Sequence, residues 1–111
     1  EDNLLNLQER GIRYAFHGHT HIAGVWQQRR GVADWNAADT LSLAPLDRAL
    51  ICPGSVGQPR GAGHGAQFGV FDAATRDWQL RQLPYDPSCV IQDARAAGFP
   101  ENVIRLLDAA R

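Results

Sequence analysis

The sequence predicts a mixed α/β chain of α+β-like layout, with short strands first and helices towards the C-terminus. Three observations predict it. In residues 12–16 the apolar Ile12, Tyr14 and Phe16 alternate with Arg13 and Ala15, the period of a half-buried strand. Residues 67–72 and 78–83 flank Thr75-Arg76-Asp77 in a hairpin pattern, and Trp78 and Leu80, two apart, share one face. Beyond Asp86-Pro87 the apolar spacing turns helical and stays so to the end.

Taken in order, Leu4, Leu5 and Leu7 followed by Gly11 read as an amphipathic helix that stops at the glycine. The strand at 12–16 comes next, then a histidine-rich loop at its C-terminal end, where chemistry in layered α/β folds commonly sits. Residues 22–28 continue as a second strand leading away. Residues 29–47 carry mixed signals and read as an insertion holding a short strand near 40–43, with Trp35 capping a core edge. Residues 48–52 form a buried strand that Pro53-Gly54 turns into a glycine-rich loop reaching Gly65. After the hairpin, Asp86 suits a helix cap and Pro87 a first helical position. Cys89, Val90, Ala94 and Ala97 then form one stripe before Gly98. Pro100 opens a last helix with Val103, Ile104, Leu106 and Leu107. There is no internal repeat and no low-complexity linker, so residues 1–111 read as one unit.

Composition narrows the function classes. A hydrophobic share of 44% suits a globular chain, and a net charge of −1 provides no broad basic field for nucleic acid. Every basic residue is Arg. No apolar stretch approaches the ~20 residues of a membrane span, which makes cytoplasm the default location. Cys52 and Cys89 form no CxxC motif and read as two buried, reduced thiols.

Chemistry concentrates in His17-Gly18-His19-Thr20-His21. Three of the four histidines fall in this run. Imidazoles at 19 and 21 can share a side of an extended backbone, and neutral imidazole is a common ligand of transition metals. Two such ligands are too few to make a metal site by themselves. Downstream, Cys52-Pro53-Gly54-Ser55-Val56-Gly57-Gln58-Pro59-Arg60-Gly61 follows the buried strand.

Taken together, Gly18-His19-Thr20-His21, the run 53–61, the hairpin and Tyr85-Asp86 resemble the C-terminal part of the calcineurin-like metallophosphoesterases. The nearer likeness is to their small prokaryotic phosphodiesterases. The resemblance spans nearly the whole chain from about residue 12. It implies the C-terminal half of a four-layer αββα sandwich and a metal-dependent phosphoesterase. Such an enzyme hydrolyses phosphoester bonds with a hydroxide activated by two divalent ions, Mn²⁺, Fe²⁺, Zn²⁺ or Ni²⁺. By the same resemblance His19 and His21 ligate one metal each.

The family's other motifs, Asp-x-His, Gly-Asp-x-x-Asp and Gly-Asn-His-Asp/Glu, do not occur in this chain. With Glu1 at its start in place of Met, the chain reads as a C-terminal fragment, inactive alone. Its expected partners are a phosphoester substrate and the missing N-terminal half of the same domain. A short non-catalytic metal- or nucleotide-binding module is the alternative. A piece that self-associates through an exposed sheet edge is another.

Arg60 suits either a substrate phosphate, which its guanidinium fork matches, or an ion pair holding its loop. Thr20 is expected to act through its backbone and Ser55 not as a nucleophile. His17 stands outside the matched motif, and His64 reads as a solvated loop residue. Cys52 replaces the Asn that relatives carry before Pro-Gly-Ser, which removes an amide able to pin the loop.

Overall fold

The computed structural model describes residues 2–108. A first helix, α1 (Asp2–Glu9), buries Leu4 and Leu7 and ends at Gly11, whose φ of 67° a side chain would disfavour. Seven strands follow, β1 (Tyr14–Phe16), β2 (Gly24–Arg29), β3 (Val32–Asn36), β4 (Thr40–Ser42), β5 (Arg48–Cys52), β6 (Ala66–Phe71) and β7 (Asp77–Leu83). Two helices, α2 (Ser88–Ala96) and α3 (Glu101–Asp108), close the order.

The strands make two sheets. One has the order β1-β5-β2-β3, with β1 parallel to β5 and the remaining pairs antiparallel. The other is antiparallel, in the order β4-β7-β6. Val25, Ala49 and Ile51 from the first sheet meet Trp78 from the second, and Leu43 and Leu46 join them from the segment after β4. Burying such side chains is the main favourable term in folding. Within the second sheet Gly69 on β6 leaves room for the Trp78 ring of β7, since a Cβ there would lie 1.8 Å from it. α1 packs beside β5, while α2 and α3 pack on each other through Ile91 and Ile104. The result is a mixed α+β arrangement of two sheets with C-terminal helices, as the sequence predicts.

Residues 29–47 hold the short strand expected near 40–43, as β4, and in addition the unexpected β3. Arg30 and Gly31, at φ 51° and 78°, make the two-residue turn that matches strand twist and joins β2 to β3. The chain then crosses to the other sheet as β4. β3 is hard to read from sequence because it is an edge strand built of Ala, Asp and Asn beside its apolar residues, and these types are depleted in strands. Trp35 does not cap a core edge. It lies half-exposed against Trp26, ring centroids 5.4 Å apart, and covers Gly24.

Two further expectations change. Cys52 is buried but Cys89 is exposed, and both are free thiols. The stripe of Cys89, Val90, Ala94 and Ala97 is not the buried face of α2. Ile91 occupies that place, and Val90 remains 52% exposed. Asp86 does receive the Ser88 backbone N–H at 3.0 Å, which supports the first turn. No helix among the described residues is long and apolar enough to cross a membrane.

Candidate metal centre

β1 and β5 run side by side and deliver two loops to one end of their sheet. The His17 N–H still bonds the Ile51 carbonyl at 2.9 Å, so the histidine loop leaves the sheet directly beside the start of the 53–61 loop. Past that point the backbone is not extended. His19 and His21 sit at φ 75° and 60°, left-handed conformations that cost a non-glycine residue roughly 1–3 kcal/mol when the surroundings enforce them. The two rings are therefore displayed by a bent loop and not by one face of a strand.

His21 is held at two points. Its ring Nδ1 lies 3.0 Å from the Gln58 carbonyl oxygen. A carbonyl only accepts, so Nδ1 carries a proton, and in the neutral ring Nε2 is then the nitrogen with the lone pair. Its own carbonyl receives the Arg60 N–H at 3.0 Å. This clamp sews the histidine loop to the 53–61 loop, and a ring whose other nitrogen donates to a carbonyl is the usual state of a metal-binding imidazole. His19 is exposed, and its ring takes no hydrogen bond among the described residues.

The neighbours explain how the loops keep their shape. The Thr20 hydroxyl lies 3.5 Å from the Cys52 sulfur and receives the Ile22 N–H at 3.4 Å. Thr20 thus works through its hydroxyl as well as its backbone, and Cys52 supplies a contact that reaches the histidine loop. The loop is also pinned without an Asn at position 52. Gln67, 3% exposed, does it from β6. Its Oε1 accepts the Ser55 N–H at 3.2 Å, its backbone N–H bonds the Ser55 carbonyl at 3.0 Å, and its Nε2 donates to Gln82 at 3.2 Å. The Ser55 hydroxyl in turn accepts the Gln58 N–H at 3.0 Å, a turn-forming role. A Cβ at Gly54 or Gly63 would come within 2.1 or 2.5 Å of the Gln67 amide, which accounts for two of the loop glycines. Gln67 escaped the sequence reading because a glutamine in a strand pattern looks like a solvent-facing residue.

Arg60 is exposed and makes no ion pair among the described residues. Its side chain borders a cavity of about 250 Å³ shared with Ile22, Trp35, Asp39, Gln67 and Gln82. Among the described residues no carboxylate pairs with Arg60 to hold its loop. His64 is exposed, as expected for a loop residue. His17 is half-buried. Its Nδ1 lies 3.1 Å from the Gly18 carbonyl, and its buried Nε2 has no partner.

Among the described residues no three His, Cys, Asp or Glu side chains cluster as a metal cage. The donor chemistry of His21 fits a divalent cation, and His19 is free to join it, as part of a larger donor set.

No family profile matches this chain. No curated protein matches it either. Among solved structures the chain is similar to a metallophosphoesterase from Sphaerobacter thermophilus, at 27% sequence identity and a TM-score of 0.80. The match covers 96% of this chain and 46% of the other, so the chain spans about half the length of that relative. The chain thus shares its fold with about half of a metallophosphoesterase, in line with the likeness that its histidine and Pro-Gly-Ser motifs carry.

Proposed function

We propose that this chain supplies the C-terminal share of a metal-dependent phosphoesterase active site, with His19 and His21 as ligands of two divalent ions. The observation that carries the reading is the clamp on His21, which fixes the ring through Nδ1 and leaves Nε2 as the nitrogen that can ligate a metal at the end of the sheet. The left-handed backbone at both histidines supports it, because such strain clusters at functional sites. When bound, the ions supply an activated water and neutralise charge on the phosphoryl oxygens. The chain's own residues hold and orient. The Gln58 carbonyl fixes the His21 ring, and Ser55 and Gln67 fix the segment that bears Gln58. The unpaired Arg60 guanidinium faces open space and suits a substrate phosphate.

The remaining donors would come from an N-terminal half of the domain, and the whole would work in the cytoplasm. That half also suits the exposed Phe16 and the unpaired outer edge of β1. Alone, the chain is expected to be inactive. The test is hydrolysis of bis-p-nitrophenyl phosphate with Mn²⁺ by a protein carrying this chain and its preceding residues. Replacing His19 and His21 by Ala should cost more than the ~10–100-fold typical of losing an outer partner of a metal ligand. Full activity in the double variant refutes the assignment.

A further inference from the structure

The cavity of about 250 Å³ beside Arg60 opens between the two sheets. Trp35 of β3 lines it from one sheet, and Leu80 and Gln82 of β7 line it from the other. It is smaller than the ~300–1,000 Å³ of drug-sized sites, which limits an occupant to a small molecule. We propose that it binds a small zwitterion, with Arg60 and Gln82 on the oxyanion and Asp39 on the ammonium group.

The strand sets this pattern. Trp78, Leu80 and Gln82 are two apart on β7 and share a face. Trp78 is buried in the core, so that face runs outward from it and ends in an amide at the cavity. Gln67, almost wholly buried, lines the same space, and its Nε2 donates to the Gln82 Oε1 at 3.2 Å. The His64 backbone N–H reaches that oxygen as well, also at 3.2 Å. Both lone pairs of the Gln82 carbonyl are then taken, while its NH₂ has no partner among the described residues. That amide and the Arg60 guanidinium offer N–H groups to an oxyanion. Asp39 offers the reverse. Its backbone carbonyl takes the Leu80 N–H at 2.7 Å, which ties residue 39 to β7. Its carboxylate, an acceptor only, has no partner among the described residues. Arg60 and Asp39 thus stand on one small cavity with opposite charges, and they do not pair with each other. A ligand bearing both charges satisfies both at once, whereas a plain anion is repelled by Asp39. The oxyanion can be a carboxylate or a phosphate ester. Only the phosphate form rests on the phosphoesterase reading, whereas the charge pair stands on its own geometry.

The experiment uses this chain without added metal and follows the side-chain amide signals of Gln67 and Gln82 by NMR during titration. Two pairs of probes isolate the ammonium group: O-phosphoethanolamine against ethyl phosphate, and β-alanine against propionate. At least one zwitterion should bind about fivefold more tightly than its counterpart, the scale of one partly screened, charge-assisted contact. The pair that shows the larger preference names the oxyanion as phosphate or carboxylate. Asp39→Asn should erase the preference and Asp39→Glu restore part of it, while Arg60→Gln should weaken all four probes. Added salt should narrow the preference. Asp39 and Arg60 are both exposed, so these exchanges are surface changes, and far-ultraviolet circular dichroism confirms folding of each variant. Zwitterions no tighter than their counterparts, or a preference that survives Asp39→Asn, overturn the proposal. Failure of the phosphoesterase reading would appear instead as hydrolysis unaffected by loss of His19 and His21, a result that leaves the zwitterion preference untouched.

Discussion

Gln67 holds more of the site in place than any histidine does. It is the one buried polar residue in the described core, and it ties the Ser55 backbone at two points and Gln82 at a third. Gln67→Leu keeps most of the volume but leaves the Ser55 N–H unpaired, so urea unfolding should show a loss of about 1–3 kcal/mol. Gly54→Ala should be at least as damaging, since it combines a φ of 85° with a Cβ 2.1 Å from the Gln67 amide. Both variants should also weaken any metal bound at His21, because the same segment positions Gln58. These residue roles were only partly legible. His19, His21 and Arg60 are named by motif, and the structure brings all three to one end of the sheet. The support under them was not, because a buried amide has no periodicity of its own. Thr20 and Cys52 follow the same logic: a hydroxyl and a thiol that look incidental in sequence meet only after two strands pair.

At the scale of elements, the patterns with strong periods read correctly and those at edges did not. β1, β5 and the β6–β7 hairpin have alternating or continuous apolar runs, and the sequence places each within a residue or two. β3 has neither, and its existence depends on a turn made by Arg30-Gly31 that lacks the familiar Asn-Gly signature. On α2 the stripe of Val90, Ala94 and Ala97 lines a surface concavity, while Ile91, outside that stripe, is the buried residue. The β6–β7 turn carries a pH prediction. Backbone N–H groups of Thr75, then of Ala74, hold the Asp72 carboxyl below its ordinary range. A depressed folded-state value means the contribution is present above the unfolded pKa and is lost as pH falls through the folded one. Asp72→Asn should flatten that acid limb, measured by the amide shifts of Ala74 and Thr75 during acid titration. The exposed Arg95–Glu101 pair at 2.9 Å lowers the Glu101 carboxyl through its hydrogen bond and charge, with the same sign. Being on the surface, it should respond to salt more than to mutation.

The whole molecule measures 51 × 26 × 19 Å with a radius of gyration of 16.4 Å, where a rounded chain of ~100 residues has about 13 Å. The extension is matched by exposed apolar residues along one flank, where β1 and β6 are both edge strands and Phe16 meets Phe71 at 5.6 Å. The sequence hinted at this only through absent motifs, since exposure is a property of packing. If the flank is covered by the rest of a larger domain, amides of β1 should exchange quickly in the isolated chain. They should exchange at least tenfold more slowly in the longer protein. Light scattering that finds a dimer of the isolated chain would favour the self-associating alternative for that flank. The most direct measurement of the central claim is anomalous diffraction at the manganese edge from crystals of the longer protein grown with Mn²⁺. The account predicts two metal peaks, one at about the ~2.0–2.2 Å coordination distance from the His21 Nε2 and one likewise beside His19. Manganese bound elsewhere, with both rings turned to bulk water, would contradict it.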